Sequence, residues 1–503
     1  MQKILSALRI VLAIFLLMGA ATFVIRSASA LKTRGEIDYG EGIVMWQAAN
    51  VTNWARAYHP IENYPHIVFH YTPLFHLTSR FVNLFTNDLL FAGRLTSMLS
   101  LLGTCLVAAF LTARVLPPGR DKSARILGAL VAGTLVFTTT IWWWACVMRV
   151  DALAIFLSVA GVVLFALARR RRALGFLALA FFVAAVYTKQ TSLAAPAACL
   201  ILAFIEKPRY ALQLLAFSVS LGLAILLMLH IATDGLFLRH IITYNQNPYY
   251  LSGLLNRLYG HAVPIIAPLF FSAVFPVALV HRRKNHGQRW YETVRFMLTR
   301  SDFERSVVVV GLYLLLAAVV VTATISKLGA WENYWLEMDI VMCLLAGLFL
   351  GWLIRRHSFR PRRIYLLLQM AVLILFIGHS FRNWEMLQST AKLYANPPVD
   401  YSPQVVEYLK TLPDPVYSED MVVLMLAGKE VPAEPAIISA LTINGMWDET
   451  SFVQRIQRGE FHAIVIRHSL DDRGRFTQPV VDAMRDSYYQ SDNIGFFKIY
   501  LPK

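Results

Sequence analysis

Three carboxylates, Glu36, Asp38 and Glu41, crowd into six residues of the segment TRGEIDYGEGIVMWQ, Thr33 to Gln47, beside glycines and a tyrosine. Carboxylates so spaced can hold a cation, relay protons, or strip an acceptor hydroxyl or amine of its proton as a general base. Isolated basic residues recur further on: Arg149, followed two positions later by Asp151, then Lys189 with Gln190, and Arg239 with His240. A guanidinium presents a planar fork that matches phosphate oxygens, so these cations suit an anionic group such as a lipid phosphate. A base on one side and cations on the other is what glycosyl transfer from a polyprenyl-phosphate sugar requires. The carboxylate deprotonates the acceptor while the cations neutralise the departing phosphate. Plainer readings fit the same residues. Asp38 and Glu41 could be solvated loop charges, Arg149 and Asp151 a local ion pair, and Lys189 a side chain reaching for the membrane interface. Glu332 and Glu337 flank the aromatics of WENYWLE and could be structural, and Asp234-Gly235 is most simply a turn. His59, His66, His70 and His76 are spaced by seven, four and six residues, which fits no compact zinc motif, and no metal or cofactor is expected.

The elements that must hold these residues are membrane helices. The 503-residue chain is 57% hydrophobic and 16% charged, with a mean hydropathy of +0.52, whereas a soluble chain carries roughly 25% charged residues. A spanning helix needs about 20 apolar residues. Such runs lie near 10–28, 88–113, 124–147, 152–168, 173–189, 191–205, 209–231, 262–280, 306–326, 337–354 and 364–381, the sixth being short enough to be re-entrant. The net charge of +16 does not point to nucleic acid, because from Asn383 onward 11 Lys and Arg face 16 Asp and Glu. The basic excess lies earlier, in clusters between apolar runs: Arg114/Arg120/Lys122/Arg125, Arg169 to Arg172, Lys207/Arg209, Arg282/Arg283/Lys284 and Arg355/Arg356/Arg360/Arg362/Arg363. These fall on alternate loops, so a cytoplasmic N-terminus places every cluster inside. The acidic segment, Arg149/Asp151, Lys189/Gln190, Arg239/His240 and WENYWLE then share the outer face. Cations are scarce there, so those present stand out as anion ligands. Residues 1–30 carry some features of a signal peptide ending at Ala28-Ser29-Ala30, but Arg26 and the long apolar run favour a retained first helix.

The first outer loop, Leu31 to Asn87, is far longer than a connection needs and is rich in aromatics, among them Trp46, Trp54, Tyr58, Tyr64 and Tyr71. Its stretch YTPLFHLTSRFVNLF spaces Leu74, Phe75, Leu77, Phe81 and Leu84 as a helix lying in the interface would. The outer loop Thr233 to His261 is also long and amphipathic, and the inner stretch 286–305 predicts a surface helix. Residues 1–382 are expected to form the membrane domain and 383–503 a small α/β or α+β extracytoplasmic domain. In the latter, SPQVVEYLKTL and DETSFVQRIQRG predict helices, and PVYSED, FHAIVIRH and IGFFKIYL predict strands. Cys105, Cys146, Cys199 and Cys343 all lie in apolar runs and show neither metal-ligand nor disulfide spacing.

In this order along the chain, DYGEGIVMWQ, YTPLFHLTSRF, AGRLTSMLSLLG, MRVDALAIFLSVAG, YTKQTSLAAPAA and NYWLE resemble the bacterial membrane glycosyltransferases of the GT-C class. The group in question is akin to the protein O-mannosyltransferases, the lipid A aminoarabinose transferase and the lipopolysaccharide galacturonosyltransferases. The resemblance covers residues 1–382 and implies a polytopic all-α fold of about eleven spans with a periplasmic active site in a bacterial inner membrane. In that family an aspartate of the first outer loop acts as the base. The mannosyltransferases have adjacent Asp and Glu, whereas here Tyr39-Gly40 separates Asp38 from Glu41, so the resemblance leaves open which of the two is the base; Asp38 is taken as base and Glu41 as auxiliary. By position the resemblance gives Arg149 and Lys189 as phosphate ligands, with Asp151 to orient Arg149; Arg239, Tyr71, Asn333 and Tyr334 on the same outer face are further candidate substrate contacts. The implied donor is a polyprenyl-phosphate sugar, and the acceptor an envelope lipid, glycan or protein. A transporter or flippase of lipid-linked sugars and a non-catalytic assembly protein are the alternatives, although the polar residues gather at helix ends rather than at mid-membrane.

Overall fold

The computed structural model describes residues 1–503 apart from 118–121, 140, 170, 286, 356–361 and 473, so Arg120, Arg170, Arg356 and Arg360 of the basic clusters lie outside the described residues. The chain is a multi-pass helical membrane protein carrying a small C-terminal sheet domain. Among the described residues, seven helices are long and apolar enough to cross a membrane: Gln2–Lys32, Leu89–Val115, Pro208–Ala232, Leu251–Arg283, Asp302–Thr324, Glu332–Arg355 and Arg363–Ala395. Four shorter apolar helices, Ser123–Thr138, Asp151–Leu167, Arg172–Val186 and Ala194–Glu206, fill the remaining expected places.

The bundle is built around the helix Leu336–Arg355, which is buried along almost its whole length. It meets the helix Ser123–Thr134 through small residues. A methyl group added at Gly347 would run into the Gly128 carbonyl and Ala132, and one at Gly351 would lie against the Ala124 carbonyl. Small residues one turn apart let two helix backbones touch where lipid offers no hydrophobic drive for association.

The third expected span departs from a straight helix. Its α-helix ends at Thr134 and continues as two 3-10 turns, Leu135–Thr138 and Ile141–Ala145. Thr138 and Thr139 donate their hydroxyls to the carbonyls of Leu135 and Val136, at 2.7 and 2.8 Å. Such bonds to the preceding turn compete with the helical ladder. The chain therefore turns early and delivers Arg149 to the end of the bundle.

The first outer loop holds the helices Gly40–Asn50 and Leu74–Thr86. The second is the expected amphipathic helix: Phe75, His76 and Ser79 are buried while Leu77, Phe81, Leu84 and Phe85 are exposed, and it closes on Asn87 at φ 54°. The helix Arg382–Ala395, grouped with the tail by composition, packs along the first helix instead. There Asn383 Nδ2 donates to the Phe15 carbonyl and Arg26 Nε to Thr390 Oγ1, each at 2.8 Å.

The C-terminal sheet runs β1-β2-β4-β3, with β1 (Tyr417–Ser418) parallel to β2 (Ile464–Ile466), and β4 (Phe497–Pro502) antiparallel to both β2 and β3 (Tyr488–Ile494). Its docking face shares one apolar core with the first loop, in which Ile43, Val44, Met45 and Trp46 meet Val405, Leu409, Val422 and Val465. The acidic segment, Arg149, Lys189 and Asn333 gather at the end of the bundle that carries this unit. The basic loops meet at another place, where Arg169 pairs with Asp302, Arg283 with Glu304, and Arg305 with Glu206.

Candidate active site

The acidic segment folds into a turn that leads into the helix Gly40–Asn50. Glu41 is enclosed within it, both it and Arg94 being at most 1% exposed as side chains. Arg94 Nε donates to Glu41 Oε1 at 2.8 Å and Nη2 to Oε2 at 2.7 Å, a two-pronged fork. The Met148 and Ile37 amides donate to the same carboxylate, each at 2.8 Å. Arg94 also donates to the carbonyls of Ala30, Thr33 and Gly35. This network ties the first helix, the loop, the second span and the segment leading to Arg149 together. Glu41, expected as an auxiliary to the base, is thus fully engaged as an anchor and does not face the cleft. Arg94 was not singled out from the sequence, yet an arginine inside an apolar run is itself a signal, since it persists there only with a partner.

Asp38 points the other way. Its Oδ2 accepts the Gly40 amide at 3.1 Å and lies 3.2 Å from Arg149 Nη1, with both side chains slightly exposed. Position 40 must be glycine for this contact, because a Cβ there would overlap Arg149 Nη1. Ser97 Oγ donates to the Arg149 carbonyl at 3.0 Å, and the guanidinium sits 5.5 Å from the Trp144 ring centre.

Lys189 forms a second pair. Its Nζ lies 2.5 Å from Asp151 Oδ1, to which Asn333 Nδ2 also donates at 3.0 Å, and it sits 4.3 Å from the centre of the Tyr334 ring. Asp151 therefore holds Lys189, and it is Asp38 that takes Arg149, in place of the expected Asp151–Arg149 bond. Burial alone would lower the Lys189 ammonium, but Asp151 and the phenols of Tyr334 and Tyr71 outweigh it and hold it above its ordinary range. The Tyr71 phenol is raised by burial and feels Arg149, Asp151, Tyr334 and Lys189, so it belongs to the same group. Asp151, Lys189, Asn333, Tyr334 and Glu337 line a small pocket with Thr191 and Ser192. Glu337, read from the sequence as structural, faces this pocket and accepts the Tyr313 hydroxyl at 2.7 Å. The buried atoms Arg149 Nε, Asp151 Oδ2 and Asn333 Oδ1 have no hydrogen-bond partner among the described residues. Buried polar atoms are almost always satisfied, so these three are open to a further hydrogen-bond partner.

Arg239 is not brought to the cluster. It pairs with Glu62 at 3.5 Å, both about half exposed, and lies over Tyr244. The four first-loop histidines are spent on the loop itself: His59 meets the Arg56 and Pro65 carbonyls, His66 the Ile61 carbonyl, and His70 and His76 meet Gln47.

No protein-family model matches the chain, and no curated protein matches it in sequence. Solved structures match its fold over nearly its whole length. ArnT from Cupriavidus metallidurans bound to undecaprenyl phosphate superposes with a TM-score of 0.60 at 14% identity, covering 96% of this chain and 97% of that one. The same protein in the apo state gives 0.59 at 15% identity over the same shares. The archaeal oligosaccharyltransferase AglB from Archaeoglobus fulgidus, in complex with an inhibitory peptide and a dolichol-phosphate, gives 0.51 at 11% identity, covering 96% of this chain and 74% of that one. This chain has the GT-C fold of these membrane proteins.

Proposed function

We propose that the chain is an integral membrane glycosyltransferase. It would move a sugar from a polyprenyl-phosphate donor to an envelope lipid, polysaccharide or protein, on the extracytoplasmic face of a bacterial inner membrane. The supporting observation is the side-by-side placement of two carboxylate–cation pairs, Asp38–Arg149 and Asp151–Lys189, beside a polar pocket with open buried atoms. Two solved structures of the same fold contain a polyprenyl phosphate, undecaprenyl phosphate in ArnT and a dolichol-phosphate in AglB.

In this reading the donor phosphate takes Arg149 and Lys189, drawing Arg149 off Asp38. Asp38 then accepts the proton of the acceptor hydroxyl or amine as the acceptor atom bonds to C1 of the sugar. The bond from C1 to the phosphate oxygen breaks and its electron pair stays with the phosphate. Attack from the face opposite the leaving group inverts C1. The charge gained by the departing polyprenyl phosphate is neutralised by Arg149 and Lys189, so the transfer is metal-independent. Tyr71, Asn333 and Tyr334 line the sugar's path, and Arg239 is left to the rim.

The test is turnover by the purified protein in nanodiscs, with undecaprenyl-phosphate-linked hexose, pentose and uronic acid as a donor panel. Mass spectrometry of envelope lipids and glycans with and without the protein accompanies it. One missing sugar and one active donor are expected. Movement of a lipid-linked sugar across vesicles without transfer would make the chain a transporter or flippase. Neither transfer nor transport would leave a non-catalytic assembly protein.

A further inference from the structure

Asp38 lies between two sets of anchors. On its membrane side Glu41 is gripped by Arg94. On its other side the C-terminal unit holds several residues of the turn. Asp400 Oδ2 accepts the Arg34 and Gly35 amides at 3.1 and 3.0 Å. Arg467 Nη1 donates to the Glu36 carbonyl at 2.8 Å, and Met421 packs against Gly42.

The tightest hold is on Tyr39, the residue next to Asp38. The Tyr39 hydroxyl donates to Glu434 Oε1 through a short hydrogen bond and accepts the Ala436 amide at 3.2 Å, so both its hydrogen-bonding capacities are used. Glu434 is fixed in turn: it is 1% exposed, and its Oε2 accepts the Ile437 amide at the start of the helix Pro435–Ile443. On the ring face the Arg475 guanidinium stands 3.2 Å from the ring centre, and Arg475 Nε is 3.6 Å from the buried carboxylate of Glu419. A phenol held at its hydroxyl and its face has neither rotation nor translation left, and its backbone is continuous with that of Asp38.

We propose that the C-terminal unit completes the active site by clamping Tyr39, so that Tyr39, Glu434 and Arg475 are positioning residues for the base at Asp38. The inference rests on the transfer reading above. A base must be held within about 0.5 Å of its working position, and a misplacement of about 1 Å costs roughly 10²-fold in rate. Without the clamp the C-terminal unit still holds Arg34, Gly35, Glu36 and Gly42, none of which is the chain neighbour of Asp38.

The full-length protein in nanodiscs provides the test, with Tyr39→Ala, Tyr39→Phe, Arg475→Ala and the double variant Tyr39→Ala/Arg475→Ala. Three quantities are measured: turnover of the donor active in the panel, binding of undecaprenyl phosphate, and amide hydrogen exchange of residues 34–42. Tyr39→Ala is expected to lower kcat roughly 10²-fold with KM and undecaprenyl phosphate affinity within about twofold. Tyr39→Phe keeps the ring under Arg475 and recovers part of that loss. The double variant is no worse than Tyr39→Ala alone, since both act through one contact. Exchange in residues 34–42 rises more than tenfold in Tyr39→Ala, with the membrane helices unchanged. Turnover within twofold of the parent, or unaltered exchange in that segment, overturns the clamp. So does a fall in kcat that merely tracks a fall in melting temperature. An active Asp38→Asn variant would instead end the role of Asp38 as base, no turnover by the parent on any donor of the panel would end the transfer reading, and in either case the exchange measurement would still decide whether the clamp exists.

Discussion

At the Asp38–Arg149 contact the proposed base and the proposed phosphate ligand neutralise each other until something replaces one of them. Asp38→Asn is expected to abolish transfer while undecaprenyl phosphate binds as well or better, because Arg149 loses a competing anion; titration in nanodiscs beside a turnover assay checks this. Arg149→Lys keeps the charge but loses the fork, and should weaken undecaprenyl phosphate binding in the same titration. Glu41 behaves differently despite lying three residues from Asp38. It is one half of a fully buried pair, and truncating one partner of such a pair strands the other charge at a cost of about 3–5 kcal/mol. Glu41→Ala should therefore fail in folding, seen as lost monodispersity and a much lower melting temperature, rather than as an inactive but stable protein. If Glu41→Ala is well folded and only inactive, the anchor role assigned to it is wrong.

Elements differ in how far their residues announce them. The lipid-facing stretch around Phe81 and Leu84 shows its helical period openly, and the bundle helices follow from their apolar lengths. The helix Gly40–Asn50 does not, since it is buried on almost every side, starts Gly-Glu-Gly, and so has no polar face to set a period. The edge strand β3 escapes for the opposite reason: YYQSDNI is mostly exposed, with no buried alternation. At the site, Asp38, Arg149, Asp151 and Lys189 were legible as chemistry on one face, and Tyr71, Asn333 and Tyr334 joined them. Their pairing was not legible, because partners 111 residues apart, as Asp38 and Arg149 are, are chosen by tertiary packing alone. The glycines of the central helix make a testable case at this scale. Gly347→Leu would push the Leu336–Arg355 helix away from Ser123–Thr134, and misassembly of the bundle is expected, read as lost membrane expression.

The whole molecule places its acidic segment under the C-terminal cap and its basic loops elsewhere. In a cysteine-free background, Asp234→Cys should react with a membrane-impermeant maleimide on intact cells, and Lys284→Cys only after permeabilisation. Both residues are exposed, and labelling from the same side would overturn the proposed topology. The cap is also fastened by a carboxyl pair. Glu36 and Asp420 are buried near each other, and burial holds both above their ordinary range, with the charge of Asp420 raising Glu36 further. Docking therefore favours their protonated forms. Its contribution is whole below the unfolded carboxyl range near 4 and falls away as pH rises through the raised folded-state values. Glu36→Gln is expected to flatten the dependence of melting temperature on pH above 4; an unchanged slope would remove the pair from this role. Because the clamp on residue 39 comes from residues beyond 430, the segment proposed to do the chemistry is made well before the parts that fix it. During synthesis the growing chain would already be threaded into the bilayer while that turn stays slack, so that a nascent protein would not turn over the proposed lipid-linked donor before the clamp is in place.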